Sequence, residues 1–198
     1  MRHQIWLAVS IALLGQFGLS GCNKSPPEAP VAATPAPAVT APSTAADSAA
    51  DSAAIDASIA STERLAGDAD EDAWRKPAEV LTFLEVKPGM HVVDYFSAGG
   101  YYTELLSRIV GSNGQVIAYN NPEYLKFSGE KPNQRYGAER LPNVAQLTTP
   151  PAEAPFEPNS LDAALFVMSY HDLHWRAKDG SWPVIDPAQA LAKLVPAL

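Results

Sequence analysis

The apolar positions of this chain fall into short unbroken runs and helix-spaced runs, and the two alternate most clearly between Met90 and Asn121. The run MHVVDYF is β-branched and aromatic and follows the turn signal Lys87-Pro88-Gly89, which predicts a buried strand. A small-residue loop, Ser97-Ala98-Gly99-Gly100, interrupts it. Beyond the loop, Tyr101, Leu105 and Ile109 recur every four residues and mark one face of a helix. Gly111 is placed to end that helix, Asn113-Gly114 to turn the chain, and QVIAYN to form a second strand. Strand, crossover helix and strand make a βαβ unit, which requires a parallel sheet. The fold class is therefore α/β.

The flanking segments extend this pattern. Pro77 suits the first turn of a helix whose apolar face is Val80, Leu81 and Leu84. Val144–Leu147 is a candidate third strand. LDAALFVMS, Leu161–Ser169, is apolar without alternation, as a central parallel strand should be. Asp186-Pro187 before AQALAKLV reads as an N-cap, a proline in the first turn, and a helix. Between Pro122 and Asn143 the chain is polar and punctuated by Pro122, Pro132 and Pro142, which predicts one short helix and a loop without fixing the position of either.

The first 72 residues follow other rules. A basic start, Arg2-His3, precedes the apolar run IWLAVSIALL, which is too short to span a bilayer and reads as a secretory signal. It ends in Leu19-Ser20-Gly21-Cys22, which resembles the bacterial lipobox and implies lipidation of Cys22 at the boundary of a segment 1–22. Asn23 stands where an inner-membrane retention signal would have aspartate, so the resemblance implies anchoring at the outer membrane, facing the periplasm. Residues 23–72, rich in Pro, Ala and Ser, read as a disordered linker, with the acidic run Asp68–Asp72 as a solvated approach given no ligand role. The folded domain is expected over 73–198.

Composition narrows the chemistry. A net charge of −8 argues against a nucleic-acid partner. A single cysteine excludes an internal disulfide and any multi-cysteine metal site. His171, Asp172 and His174 have permissive spacing for metal, but a fourth ligand is missing, so no metal is assigned.

A parallel βαβ unit presents a ligand with the carboxyl ends of its strands and the N-terminus of its helix. Asp94, Ser97, Gly99 and Gly100 stand at that crevice, and Asn120, 20 positions beyond Gly100, is spaced to reach ribose hydroxyls. A nicotinamide-binding loop needs three spaced glycines under a pyrophosphate, and this loop has two adjacent ones. An aspartate before a small-residue loop suits a ligand bearing an ammonium group instead. These residues resemble the first half of class I S-adenosylmethionine-dependent methyltransferases, whose motif is (D/E)-x-G-x-G-x-G. Asp94 matches the acid and Gly100 the last glycine, while Phe96 and Ala98 hold the two earlier glycine positions.

The resemblance implies a Rossmann-like methyltransferase fold in which the third, second, first and fourth strands lie side by side. It also implies a chain truncated after the fourth strand and its following helix. S-adenosylmethionine is the implied cofactor, with Asp94 at its amino-acid end and Asn120, in place of the family's acid, at its ribose. The fourth strand ends at the transferred methyl in that family, which makes His171 the candidate base and Asp172 its orienting or substrate-binding partner, for a small-molecule or envelope-associated acceptor. Tyr101 and Tyr102 are candidates to contact a sulfonium, and Trp175 and Trp182 to cover the substrate. Three readings follow: a lipid-anchored methyltransferase, a methyltransferase-like binding protein without chemistry, and a nicotinamide-dependent enzyme.

Overall fold

The computed structural model describes residues 45–198; the signal segment, Cys22 and the start of the linker lie outside the described residues. Four strands form one parallel sheet: β1 (His91–Tyr95), β2 (Gln115–Asn120), β3 (Val144–Thr148) and β4 (Ala163–Leu165). Their order is β3-β2-β1-β4, as the resemblance implies. Val93 lies opposite Ile117 on one side and Ala164 on the other, so β1 is central. Its residues Val92 to Tyr95 are all buried, because successive side chains serve two different cores. Val92 and Val116 pack with Leu81, Leu105 and Ile109 on one face, while Val93, Tyr95 and Tyr119 pack with Leu173, Ile185 and Leu194 on the other.

Helix α4 (Tyr101–Val110) is the crossover between β1 and β2, and Gly111 ends it as expected. The remaining helices are α1 (Ala45–Ile59), α2 (Asp68–Arg75), α3 (Pro77–Phe83), α5 (Pro122–Ser128), α6 (Lys131–Tyr136) and α7 (Pro187–Leu194). The Asp186 carboxylate caps α7, accepting from the amides of Ala188 at 2.9 Å and Gln189 at 3.3 Å. The polar stretch after β2 carries two helices rather than one. Asn121 starts the first, its side-chain oxygen accepting from the Tyr124 amide at 2.7 Å.

Two boundaries differ from the sequence reading. Residues 45–72, expected to be linker, contain α1 and the start of α2 and belong to the folded body. Alanine-rich sequence favours helix, and Ile55 and Ile59 lie one turn apart on the face of α1 that meets α4. Ile55 is 3% exposed, and the Ser58 hydroxyl donates to the Leu105 carbonyl at 2.9 Å. Strand β4 is shorter than the apolar run 161–169. Leu161 bonds to the Ala197 carbonyl instead of a strand, and Met168, at a left-handed φ of 55°, turns the chain away from the sheet.

Candidate functional site

The loop after β1 keeps the backbone that a glycine-rich motif would give, although two glycines are missing. Phe96, Ala98 and Gly100 have φ values of 59°, 50° and 79°, all in the left-handed region that glycine adopts without steric cost. Neighbouring groups hold Phe96 and Ala98 there. The Ser97 amide donates to the Tyr119 carbonyl at 3.0 Å, and the Gly100 amide donates to the Ser97 carbonyl at 2.8 Å. Asn120 completes the brace: its Oδ1 accepts from the Ala98 amide at 2.9 Å and its Nδ2 donates to Ser97 Oγ at 2.9 Å.

Helix α6 packs against the back of this loop. A Cβ on Gly100 would lie 2.1 Å from Tyr136 Oη and 2.8 Å from Arg135 Cδ; one on Gly99 would lie 2.9 Å from Lys131 Cβ. These glycines therefore admit α6 as well as a turn. Arg135, 1% exposed, ties α6 to its surroundings. It donates from Nε to the Gly99 carbonyl at 2.5 Å, to both Asp68 oxygens at 2.7 and 3.0 Å, and to Glu104. Glu104 is fully buried and also accepts from Arg108 and Arg140, each at 2.9 Å, so its carboxyl stays below the usual range despite burial.

In front of the loop lies a cleft of about 330 Å³, at the small end of ligand-binding clefts. Asp94, Ser97, Gly99, Tyr101, Tyr102 and Arg135 line its inner part. Asp94 is 4% exposed. Burial pushes its pKa up to about 6, opposed by the Thr103 hydroxyl, which donates to Oδ2 at 2.6 Å, by the Thr103 amide, and by Arg135 and Arg75 nearby. The Tyr101 ring carries the Arg75 guanidinium 4.5 Å from its centroid and Arg64 at 5.4 Å, and its hydroxyl donates to Asp72. The mouth is apolar and exposed: Trp74 from α2, Phe127 from α5 and Met168 after β4.

Asp94, Ser97 and Gly99 thus meet at one cleft, as the sequence suggests, with Gly100 behind them at the start of α4. Other expectations are corrected. Asn120 does not line the cleft, because both ends of its amide are spent on the loop. His171 and Asp172 sit in a short 3-10 turn, Tyr170–Leu173, outside the cleft lining. The His171 side chain is 71% exposed. Asp172 reaches the cleft only through Tyr124, whose hydroxyl donates to Oδ2 at 2.7 Å. Trp182 packs edge-on to Phe96 and Tyr124, whereas Trp175 is exposed. The acidic run is not merely solvated: Asp68 and Glu71 line the cleft and Asp72 forms a paired bond with Arg64 at 2.7 and 2.8 Å. Sequence reasoning missed Arg135 and Tyr124, which lie in the segment where no periodicity marked the helices.

Comparison with known proteins places this geometry. The family model for protein-L-isoaspartate(D-aspartate) O-methyltransferase matches residues 63–149. Demethylmenaquinone methyltransferase of Bacillus cereus is 32% identical over 90 residues, which are 46% of this chain and 36% of that protein. The protein of the same name from Bacillus anthracis matches to the same extent. The chain thus spans about a third of the length of these relatives. Among solved structures, a SAM-dependent methyltransferase from Aquifex aeolicus superposes with a TM-score of 0.51 at 23% identity, covering 65% of this chain and 61% of that one. The fold is class I methyltransferase-like, an α/β Rossmann-like fold with a parallel sheet.

Proposed function

We propose that this chain binds S-adenosylmethionine over Asp94 and transfers its methyl group to a small acceptor entering past Trp74, Phe127 and Met168. Asp94 carries the reading: a carboxylate at the end of β1, almost wholly buried, bordering a cleft rather than an ion pair. Its shifted pKa reflects burial without a bonded cation, which a ligand ammonium would supply. The matching family, the relatives and the structural neighbour support the same class of chemistry.

The residues present fit the amino-acid end of the cofactor. Asp94 would hold its ammonium, and the Gly99 amide with Arg75 its carboxylate, the Ser97 and Ala98 amides being committed to Tyr119 and Asn120. The Tyr102 ring would face the sulfonium, since Tyr101 already carries two arginines. When bound, the cofactor supplies a methyl group on positively charged sulfur, open to in-line displacement. The chain aligns and excludes water: Asp94 and the loop fix one end, and the aromatic walls keep the cleft apolar where the acceptor enters.

A second reading, a binding protein without turnover, is favoured by one observation. Asn120, where the methyltransferase resemblance implies an acid for the ribose, is turned into the loop. Ultraviolet crosslinking with tritiated-methyl S-adenosylmethionine tests both. Label on the peptide carrying Tyr101 and Tyr102, displaced by S-adenosylhomocysteine, supports the site; label elsewhere, or none, refutes it. Acceptor-dependent release of methylated product separates enzyme from binder.

Anchoring rests on the sequence: LSGC following a basic start and an apolar run. In this reading Cys22 is acylated and holds the domain at the cell envelope, facing the periplasm, at the outer membrane. Cys22→Ser should abolish labelling by radioactive palmitate in a bacterial host; equal labelling of both proteins would overturn it.

A further inference from the structure

The cleft wall at Tyr124 has a feature that cofactor binding does not use. Tyr124 lines the cleft, stacks on Phe96 with centroids 4.7 Å apart and planes within 10°, and donates its hydroxyl to Asp172 Oδ2 at 2.7 Å. The other Asp172 oxygen lies 3.3 Å from His171 Nε2, whose side chain is largely in water. A chain of proton-carrying groups therefore runs from the cleft to solvent. Trp182 fixes its middle, donating from Nε1 to the Asp172 carbonyl at 3.2 Å.

We infer that the acceptor is a ring-borne hydroxyl, and that Tyr124, Asp172 and His171 carry its proton from the cleft to water. The inference rests on the methyl-transfer reading above. The apolar, flat surfaces of Phe127 and Trp74 at the mouth suit an aromatic acceptor. A neutral hydroxyl is a weak nucleophile and must lose its proton as the new bond forms. A phenol that donates to a carboxylate has its own oxygen free to accept, so Tyr124 Oη presents an acceptor site to the cleft. As the acceptor oxygen bonds to the transferred methyl, the methyl–sulfur bond breaks and leaves its electron pair on sulfur. The acceptor proton passes to Tyr124 Oη, and the proton of Tyr124 moves to Asp172 Oδ2. His171 is the exit from Asp172 to bulk water. Tyr124 is thus the residue that meets the acceptor, and Asp172 and His171 act through it.

The test uses the full-length chain with S-adenosylmethionine, and phenol and thiophenol as probe acceptors. At about pH 8 thiophenol is already ionised and needs no base. Tyr124→Phe and Asp172→Asn should each lower kcat with phenol by about 100-fold, the lower range for general acid–base catalysis, while changing KM and the thiophenol rate less than about threefold. Asp172→Asn keeps an oxygen for the Tyr124 hydroxyl, so a merely structural contact would leave the phenol rate unchanged or lower both rates alike. A second readout needs no turnover. In the complex with S-adenosylhomocysteine, phenol should shift the carboxyl-carbon NMR resonance of Asp172 in wild type and not in Tyr124→Phe. Equal losses with both acceptors, an Asp172 resonance indifferent to bound phenol, or no phenol binding to the loaded protein overturns the relay. Absence of S-adenosylhomocysteine binding instead overturns the cofactor reading on which it stands.

Discussion

Replacing Asp94 with asparagine should make the protein more stable and worse at binding its ligand. The folded carboxyl holds its proton up to about pH 6, against an ordinary value of 3.8. Between those values the folded chain binds a proton that the unfolded chain has released, so stability falls as pH rises through this window. The contribution is fully present below about pH 4 and lost above about pH 6. A rise of about two pH units at roughly 1.4 kcal/mol each corresponds to about 3 kcal/mol lost at neutral pH. Asparagine has nearly the same shape, and its amide oxygen can still accept from the Thr103 hydroxyl. At pH 7.5 Asp94→Asn should therefore exceed wild type by up to about 3 kcal/mol, or roughly 6–12 °C in Tm for a chain of this size. At pH 4 the two should coincide. A ligand ammonium would lose a charge-assisted bond and bind about ten- to a hundred-fold more weakly. Thermal unfolding by circular dichroism at both pH values measures the stability. A variant less stable than wild type at pH 7.5, or a difference that does not depend on pH, refutes the reasoning.

Other residues give sharper local tests. Asn120→Asp, which installs the acid that the methyltransferase resemblance implies at this position, should not tighten cofactor binding. It removes the donor to Ser97 and buries a carboxylate in place of a neutral amide, so urea unfolding should show about 1–3 kcal/mol of destabilisation. Ala98→Gly relieves a left-handed alanine at φ 50° and should raise the urea midpoint by the equivalent of up to about 1 kcal/mol after the added entropy of the unfolded chain. Ile55→Ala should cost about 2–5 kcal/mol if α1 is part of the folded core, whereas a residue in a linker would tolerate the change without effect on the midpoint.

The centre of the sheet was legible because β1 and β2 are largely buried on both faces and the turns beside them use glycine, proline and asparagine where backbone geometry demands them. Asp94 was legible because an acid ending a strand before a small-residue loop is unusual. The N-terminal boundary was not, since α1 is built from alanine, serine and aspartate and only Ile55 and Ile59 reveal its buried face. Composition signals disorder there, yet packing against α4 decides the outcome. Asn120 was assigned to a ligand by spacing alone. Spacing places its backbone correctly at the end of β2 but leaves open whether the amide faces the crevice or the loop. His171 and Asp172 were found as a pair, but their link to the cleft runs through Tyr124, 48 residues away in sequence.

The central claim is that the cleft over Asp94 holds the amino-acid end of S-adenosylmethionine. Calorimetric titration of the full-length chain with S-adenosylhomocysteine at pH 7.5 tests it most directly, with Asp94→Asn alongside. Saturable binding to wild type at one site, weakened about ten- to a hundred-fold in the variant, is the predicted result. Equal affinity for the two proteins, or no heat from wild type at about millimolar ligand, where even a weak complex near −4 kcal/mol would be half formed, would contradict it.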